Sequence, residues 1–294
     1  MIRIHHAGKM GDVIYALPVM KALARIHQTK IHLMTSGLCH QLVPLLWEQP
    51  YFQDVDIDDT RPYGTQDDIM TNWDYYKEGE GINLSLQPRM KTMMEPSWTQ
   101  LYMTLCGVEA LTENDCLAMP SLVNHRRWMY GMTIALNGVV QEMHRTFIVA
   151  PEVQTLDSAP ADIWMKVIDR LLDYGVVMLV GKSRVPNYDT LVQSWNQHAR
   201  EPFLTDLRGL TTVPVLARLI AECRGFIGAH SFPWHLARQS ETPAVCLQHW
   251  LPGLYRCRPV DTVYTWLEPS EWQQGVDQIV NAVTMKEETH GVYR

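Results

Sequence analysis

The sequence predicts an α/β protein made of two parallel-sheet domains with a cleft between them. Three observations predict it. Short apolar runs alternate with helix-length segments from the first residues onward, the order that gives parallel strands with helices on their faces. The pattern changes character over residues 59–81 and restarts near residue 143. Each half also contains a strand-to-helix turn rich in glycine or polar residues, Gly8-Lys9-Met10-Gly11-Asp12 in the first and Gly228-Ala229-His230-Ser231-Phe232-Pro233 in the second. Ligands of such sheets bind beyond the carboxyl ends of the strands. The division is read as 1–143 and 144–294.

Size and charge bound the function. The 294 residues are 46% hydrophobic, enough for one large domain or two ordinary ones. A net charge of −7 suits a cytoplasmic protein and argues against a general nucleic-acid binder, which shows a basic balance. The cysteines at 39, 106, 116, 223, 246 and 257 include no C-x-x-C pair and read as reduced core thiols. No signal peptide is evident at the N-terminus. No apolar run is long enough to span a bilayer, so a lipid-linked substrate would have to be met by peripheral contact.

The elements follow in order. Ile2–His5 reads as the first strand. The helix after Asp12 carries Leu17, Met20, Leu23 and Ala24 on one face, and Pro18 either starts or kinks it. Lys30–Thr35 is a second strand, Leu38–Trp47 a helix despite Pro44, and Val55–Asp58 a third strand. Residues 59–81 read as a long loop that could cover an acceptor site or be a surface excursion. Ile82–Leu86 is a further strand, and Trp98–Cys106 a helix ended by Gly107. Pro120–Asn137 holds a helix with Arg126 and Arg127 near its start, which with Arg145 form the nearest thing to a basic patch.

In the second half Thr146–Pro151 is a strand, and Ala161–Tyr174 an amphipathic helix closed by Gly175 as its cap. Val176–Gly181 is wholly apolar, as buried parallel strands are. Helices are expected over Tyr188–His198 and Val213–Cys223, strands over Gly225–Gly228 and Pro243–Leu247, and a closing helix over Glu271–Met285.

Two turns carry the chemistry. At the first, Gly8 and Gly11 permit positive φ and close approach of a ligand. Asp12 stands where the helix begins, and two readings stay open. It caps the helix amides, or it serves as a base in the cleft. The spacing is not that of a dinucleotide fingerprint. At the second turn, Pro233 starts a helix whose open amides form an anion site able to hold a diphosphate without a metal. His235 could meet a phosphate or be a core histidine. Trp234, Trp250 and Tyr255 could stack on a base or sugar or be core. His5, His6 and His249 form no metal-ligand spacing with His235, so no bound metal is expected.

Four segments taken together resemble a known family. They are Gly11-Asp12-Val13 with Leu17-Pro18 and Ala22-Leu23; Asp206-Leu207-Arg208-Gly209-Leu210-Thr211; Gly228 to Ala237; and Thr242-Pro243-Ala244-Val245. In this order they resemble the ADP-heptose:lipopolysaccharide heptosyltransferases, most weakly from about 60 to 140. The resemblance implies a GT-B fold, two Rossmann-like domains facing a central cleft. It places the acceptor mainly on the N-terminal domain and the nucleotide sugar mainly on the C-terminal one. The final helix then packs back on the junction. It also implies inverting sugar transfer with Asp12 as general base; with no metal-ligand spacing in the sequence, the transfer is expected to be metal-independent and to use no cofactor beyond the donor substrate. Donor-binding residues are then His230, Ser231, Phe232, Pro233, Trp234 and His235, while Gly8, Lys9, Met10 and Gly11 form the acceptor-side turn.

The chain departs from the family at His230 and Phe232, where the pattern has aspartate and glycine. That departure bears on which sugar is donated. The family's phosphate-binding lysine has no counterpart in Glu152–Asp162, which contains neither Lys nor Arg. Gly181 with Lys182, or Arg184, follows the next strand and could supply the charge, or be a solvated loop.

Three functions fit. One is a glycosyltransferase acting on a saccharide or glycolipid. Another is a GT-B glycosyltransferase of phage type acting on a hydroxymethylated DNA base, with Arg126, Arg127 and Arg145 as contacts. The third is a non-catalytic nucleotide-sugar-binding protein.

Overall fold

The computed structural model describes residues 1–59, 80–84, 98–119, 140–151, 159, 161–181, 204–229, 231–240, 242–247, 264–267 and 276–284. The chain divides into two compact units. One is Met1–Pro120 with Pro252–Arg258, the other Ser121–Leu251 with Pro259–Arg294. Residues 120–139, next to the boundary read near 143, lie outside the described residues, as do Arg126 and Arg127.

The first unit contains β1 (Ile2–His6), α1 (Met10–Ile26), β2 (Ile31–Ser36), α2 (Val43–Trp47), β3 (Phe52–Asp58), β4 (Ile82–Asn83), α3 (Trp98–Cys106) and α4 (Glu113–Cys116). Its strands are all parallel in the order β3-β2-β1-β4. Ile4 of β1 sits opposite Leu33 on one side and Ile82 on the other. The run of α1 from Val13 to Met20 is wholly buried, and the helix packs on α3 and α4. Pro18 neither starts this helix nor ends it; the helix begins eight residues earlier and continues to Ile26. Pro44 tells a different story. It falls in the first turn of α2, where a missing amide is harmless, so the expected long helix splits into a 3-10 turn (Gly37–Cys39) and α2.

β3 begins at Phe52, three residues before the expected Val55, because its exposed Gln53 and Asp54 mask it. It is the edge strand of the described sheet, where charges are tolerated and discourage further pairing. Gly107 closes α3 as expected, with φ at 63°. The Val108 amide donates to Met103 and the Gly107 amide to Thr104, the paired bonds of a Schellman ending.

α4 was not expected from the sequence. Thr112 caps it reciprocally with Asp115, and Arg25 of α1 grips the same carboxylate through Nε and Nη2 at 3.1 and 2.6 Å. Lys21, one turn earlier on α1, donates to the carbonyls of Asn114 and Leu117.

The second unit contains β5 (Thr146–Ala150), α5 (Ala161–Leu171), β6 (Val176–Leu179), β7 (Leu204–Asp206), α6 (Val213–Glu222), β8 (Gly225–Gly228), α7 (Phe232–Arg238), β9 (Ala244–Leu247), β10 (Tyr264–Leu267) and α8 (Val276–Thr284). All six strands are parallel, in the order β10-β9-β8-β5-β6-β7. Read from the other edge this is 3-2-1-4-5-6, the doubly wound Rossmann order. Phe147 and Val149 of β5, Trp164 and Val167 of α5, and Val280 and Val283 of α8 share one buried cluster. α8 packs on α5, β8 and β9.

Gly175 does not act as a left-handed cap. Its amide bonds to Leu171, and a Cβ there would stand 2.0 Å from the Arg145 carbonyl oxygen, so it is glycine for space. β10 was missed although Tyr264-Thr265-Trp266 is rich in strand formers. The helices expected over Pro120–Asn137 and Tyr188–His198 lie outside the described residues, as do 271–275 at the start of the closing helix.

Candidate active site

In the first sheet the chain leaves β1 towards β2 on one side, while β4 lies on the other. The carboxyl end of β1 is therefore a switch point, the position where open α/β sheets bind ligands. The turn there is tightly held. The Gly8 amide donates to Nδ1 of His6 at 3.0 Å. The Gly8 carbonyl accepts from Oγ of Ser36, the last residue of β2, at 3.1 Å and from Sγ of Cys39, in the turn that follows, at 3.5 Å. Gly8 and Gly11 do not use positive φ; among the described residues the glycines that do are Gly107 and Gly209. Gly8 is glycine because a Cβ would stand 2.6 Å from the His6 ring and 2.7 Å from Cβ of Asp12.

Lys9 is the N-cap of α1, in an extended conformation, and Asp12 is the third helical residue. The cap reading is thus corrected in part. Asp12 does not stand at the N-cap, but its Oδ2 accepts from the Lys9 amide at 2.9 Å, the backward half of a capping box. The carboxylate is half-buried. Burial pushes its pKa up, and the Lys9 amide and ammonium pull it back only partly, so it stays above the ordinary aspartate value. A carboxylate raised in this way is a stronger base than one in water. Lys9 is exposed, and Met10 and Gly11 are half-buried.

Two residues at this turn escaped the sequence reading. His6 is fully buried, and its pKa is pushed down to about 3 by burial and by the neighbouring His5. Its Nε2 lies 3.0 Å from Oη of Tyr102 on α3. Paired histidines before a glycine turn were a visible signal for His6, but nothing in the sequence points to Tyr102 from 96 positions away.

The second sheet has its switch point between β5 and β8. The turn after β8 falls there, and the Ala229 amide bonds to Ala150 of β5. Ser231 is the N-cap of α7 and, with Phe232 and Pro233, is half-buried. Its carbonyl accepts the amides of Trp234 and His235, and Pro233 has none to give, so the expected cluster of open amides is smaller than the sequence suggested. Oγ of Ser231 donates to the Ala229 carbonyl at 3.3 Å.

Trp234 and His235 take the core alternative. Both are buried and meet edge to face, and the Arg238 guanidinium lies 5.1 Å over the Trp234 ring. Gly181 lies two residues beyond β6, and its carbonyl accepts the Gly209 amide at 2.9 Å. Arg208 folds back on Asp206 in a two-pronged bond of 2.9 and 2.8 Å, which makes the Asp206–Gly209 segment a rigid turn. His230, Lys182, Arg184, His249, Trp250 and Tyr255 lie outside the described residues. Among the described residues no group of three or more His, Cys, Asp or Glu could hold a metal ion, and no helix is long and apolar enough to cross a membrane.

No protein-family model matches the chain, and no curated protein matches it. Solved structures do. A glycosyl transferase family 9 structure from Veillonella parvula superposes with a TM-score of 0.67 at 14% identity, over 97% of this chain and 98% of its own. The ADP-heptose lipopolysaccharide heptosyltransferase II of E. coli gives 0.66 at 14% identity, over 98% of this chain and 100% of its own. The E. coli heptosyltransferase WaaC, bound to ADP-2-deoxy-2-fluoro heptose, gives 0.55 at 13% identity, over 99% of this chain and 100% of its own. At such identities the likeness speaks for the fold: the chain has the fold of the GT-B glycosyltransferases, a Rossmann-like α/β domain followed by a second one.

Proposed function

We propose that the chain is an inverting glycosyltransferase that moves a sugar from a nucleotide-diphosphate sugar to a hydroxyl of a saccharide or glycolipid. The observation that carries the reading is Asp12, a half-buried carboxylate with a raised pKa at the switch point of its sheet. In the reaction Asp12 takes the proton of the acceptor hydroxyl as its oxygen attacks the anomeric carbon. The bond from that carbon to the diphosphate oxygen breaks, and a nucleoside diphosphate leaves with the electron pair. One displacement inverts the centre.

The donor diphosphate is assigned to the turn after β8. Ser231 and Phe232 are the residues it would meet, since Trp234 and His235 are in the core. WaaC is described with ADP and with an ADP-sugar analogue, which supports a nucleoside diphosphate sugar as donor. His230 and Phe232 stand where the resembled family has aspartate and glycine, so the donated sugar need not be heptose. No metal is part of this scheme; the leaving diphosphate is placed against the Ser231 and Phe232 turn at the start of α7.

A thermal-shift panel of ADP-, UDP- and GDP-sugars tests the reading, since a ligand that binds only the native state raises its Tm. At least one should raise Tm, with and without a chelator, and the protein should then release that nucleotide when given saccharide acceptors. A panel with no stabilising nucleotide would overturn the reading. Transfer to hydroxymethylated DNA and not to saccharides would move the acceptor to a nucleic-acid base. Binding without turnover would leave a non-catalytic binding protein.

A further inference from the structure

The Gly8–Lys9 peptide is held on one side and aimed on the other. A peptide is planar, so fixing the Gly8 carbonyl fixes the direction of the Lys9 N–H. Ser36 and Cys39 hold that carbonyl, and the N–H across the same plane donates to Oδ2 of Asp12. The preceding peptide is pinned as well, by Nδ1 of His6. Because the Gly8 N–H can only donate, Nδ1 of His6 carries no proton, and the neutral ring has its hydrogen on Nε2. That hydrogen points to Oη of Tyr102 at 3.0 Å, and the Tyr102 hydroxyl in turn lies 3.5 Å from the Asp12 carbonyl. Burial, by pushing the His6 pKa down to about 3, keeps the ring neutral, and the Gly8 amide selects this tautomer. The packing agrees. The His6 ring and the Asp12 carboxylate both crowd the point where a Gly8 Cβ would be, at 2.6 and 2.9 Å.

We infer that His6 and Ser36 are positioning residues for the Asp12 carboxylate, acting through the Gly8–Lys9 peptide. His6 sets the Gly8 amide, Ser36 sets the Gly8 carbonyl, and the Lys9 amide between them sets which carboxylate oxygen is engaged and which is left for the acceptor. This rests on Asp12 being the base, but its test does not need turnover.

The test follows the Asp12 carboxyl carbon and the Lys9 amide by NMR in the full-length protein, as pH is varied. The Lys9 bond is one of the contacts that lower the Asp12 pKa. His6→Leu and Ser36→Ala should weaken that bond, move the Lys9 amide signal upfield and raise the Asp12 midpoint above wild type. His6→Asn, which keeps an acceptor near the place of Nδ1, should stay close to wild type. A general loosening of the turn would instead admit water and lower the midpoint. An unchanged or lowered midpoint in folded Ser36→Ala overturns the inference, and this variant decides alone if His6→Leu does not fold. Asp12→Asn with wild-type turnover would remove the base reading while leaving the NMR result to judge the positioning.

Discussion

The Lys9 backbone amide donates to Oδ2 of Asp12 across 2.9 Å, so one carboxylate serves both a helix start and a candidate reaction. The two roles separate in Asp12→Asn. Asparagine still offers an oxygen to the Lys9 amide and should leave α1 intact. Donor binding should be near normal, while transfer should fall by roughly two to four orders of magnitude, the usual range for a lost general base. Donor affinity and product formation measured on this variant check it; wild-type turnover would leave Asp12 as a helix-start residue only.

The same variant makes a stability prediction with a definite sign. The folded pKa of Asp12 lies above its unfolded value, so the native state holds the proton more tightly. Its contribution to stability is then present at low pH and is lost as pH rises through the folded value. Asp12→Asn carries no such charge. It should melt higher than wild type at neutral pH, and the gain should vanish on acidification to below the ordinary aspartate range. Paired melting curves across that window decide the matter.

Two glycines should respond to alanine for opposite reasons. At Gly107 there is open space but φ is 63°, so alanine meets only backbone strain, about 1–2 kcal/mol. At Gly8 the new Cβ collides with the His6 ring and with Cβ of Asp12. Gly8→Ala should therefore displace Asp12 and lower transfer, whereas Gly107→Ala should lower Tm and leave transfer per folded molecule unchanged. Activity normalised to folded protein separates them.

Asp115 offers a contrasting carboxylate. Burial would raise its pKa, but the bonds from Arg25 and Thr112 outweigh that and hold it below the ordinary value. Its stabilising effect is present above the unfolded pKa and lost as pH falls through the folded one. Thr112→Ala should cost about 1 kcal/mol as a lost helix cap. Asp115→Ala should cost more: the residue-115 amide keeps its bond to Thr112, but the acceptor for the Thr112 amide and hydroxyl is lost and Arg25 is left without this partner. Denaturant titrations from neutral pH to successively lower pH should show the difference closing only below the ordinary aspartate range, as the carboxylate takes up its proton.

Ser231 tests the donor turn. Among the described residues its half-exposed side chain bonds to the Ala229 carbonyl, so a bulky replacement should cost little stability. Ser231→Phe should weaken binding of the nucleoside diphosphate found in the panel by about tenfold or more, equal to losing roughly 1.4 kcal/mol. Unchanged affinity would place the phosphates elsewhere.

The fold was legible because parallel sheets write themselves as apolar runs. Val176–Leu179 and Thr146–Ala150 are buried along their whole lengths and could hardly be read otherwise. The start of β3 is hidden in the sequence because an edge strand can carry Gln53 and Asp54. β10 needed its partner β9 to be recognised. At the candidate site, Asp12 and Ser231 were found through local turns, which are sequence-near. Of the two reasons read for Gly8, positive φ does not hold: the approach of His6 and Asp12 requires a glycine there, whatever its dihedral. The Ser36 and Tyr102 contacts join residues 28 and 96 positions apart, and no local pattern encodes such pairs.

Pro18 gives α1 a mechanical division. Its nitrogen has no hydrogen, so the Ile14 carbonyl receives nothing from it along the helix. Beyond the proline, Lys21 and Arg25 moor the helix to the Thr112–Leu117 segment. Before it, the first two turns carry Asp12 and are tied to the Gly8 loop. The helix is thus two struts joined at a weakened splice, one anchored and one bearing the base. Amide hydrogen exchange should report them as separate protection blocks meeting at residue 18.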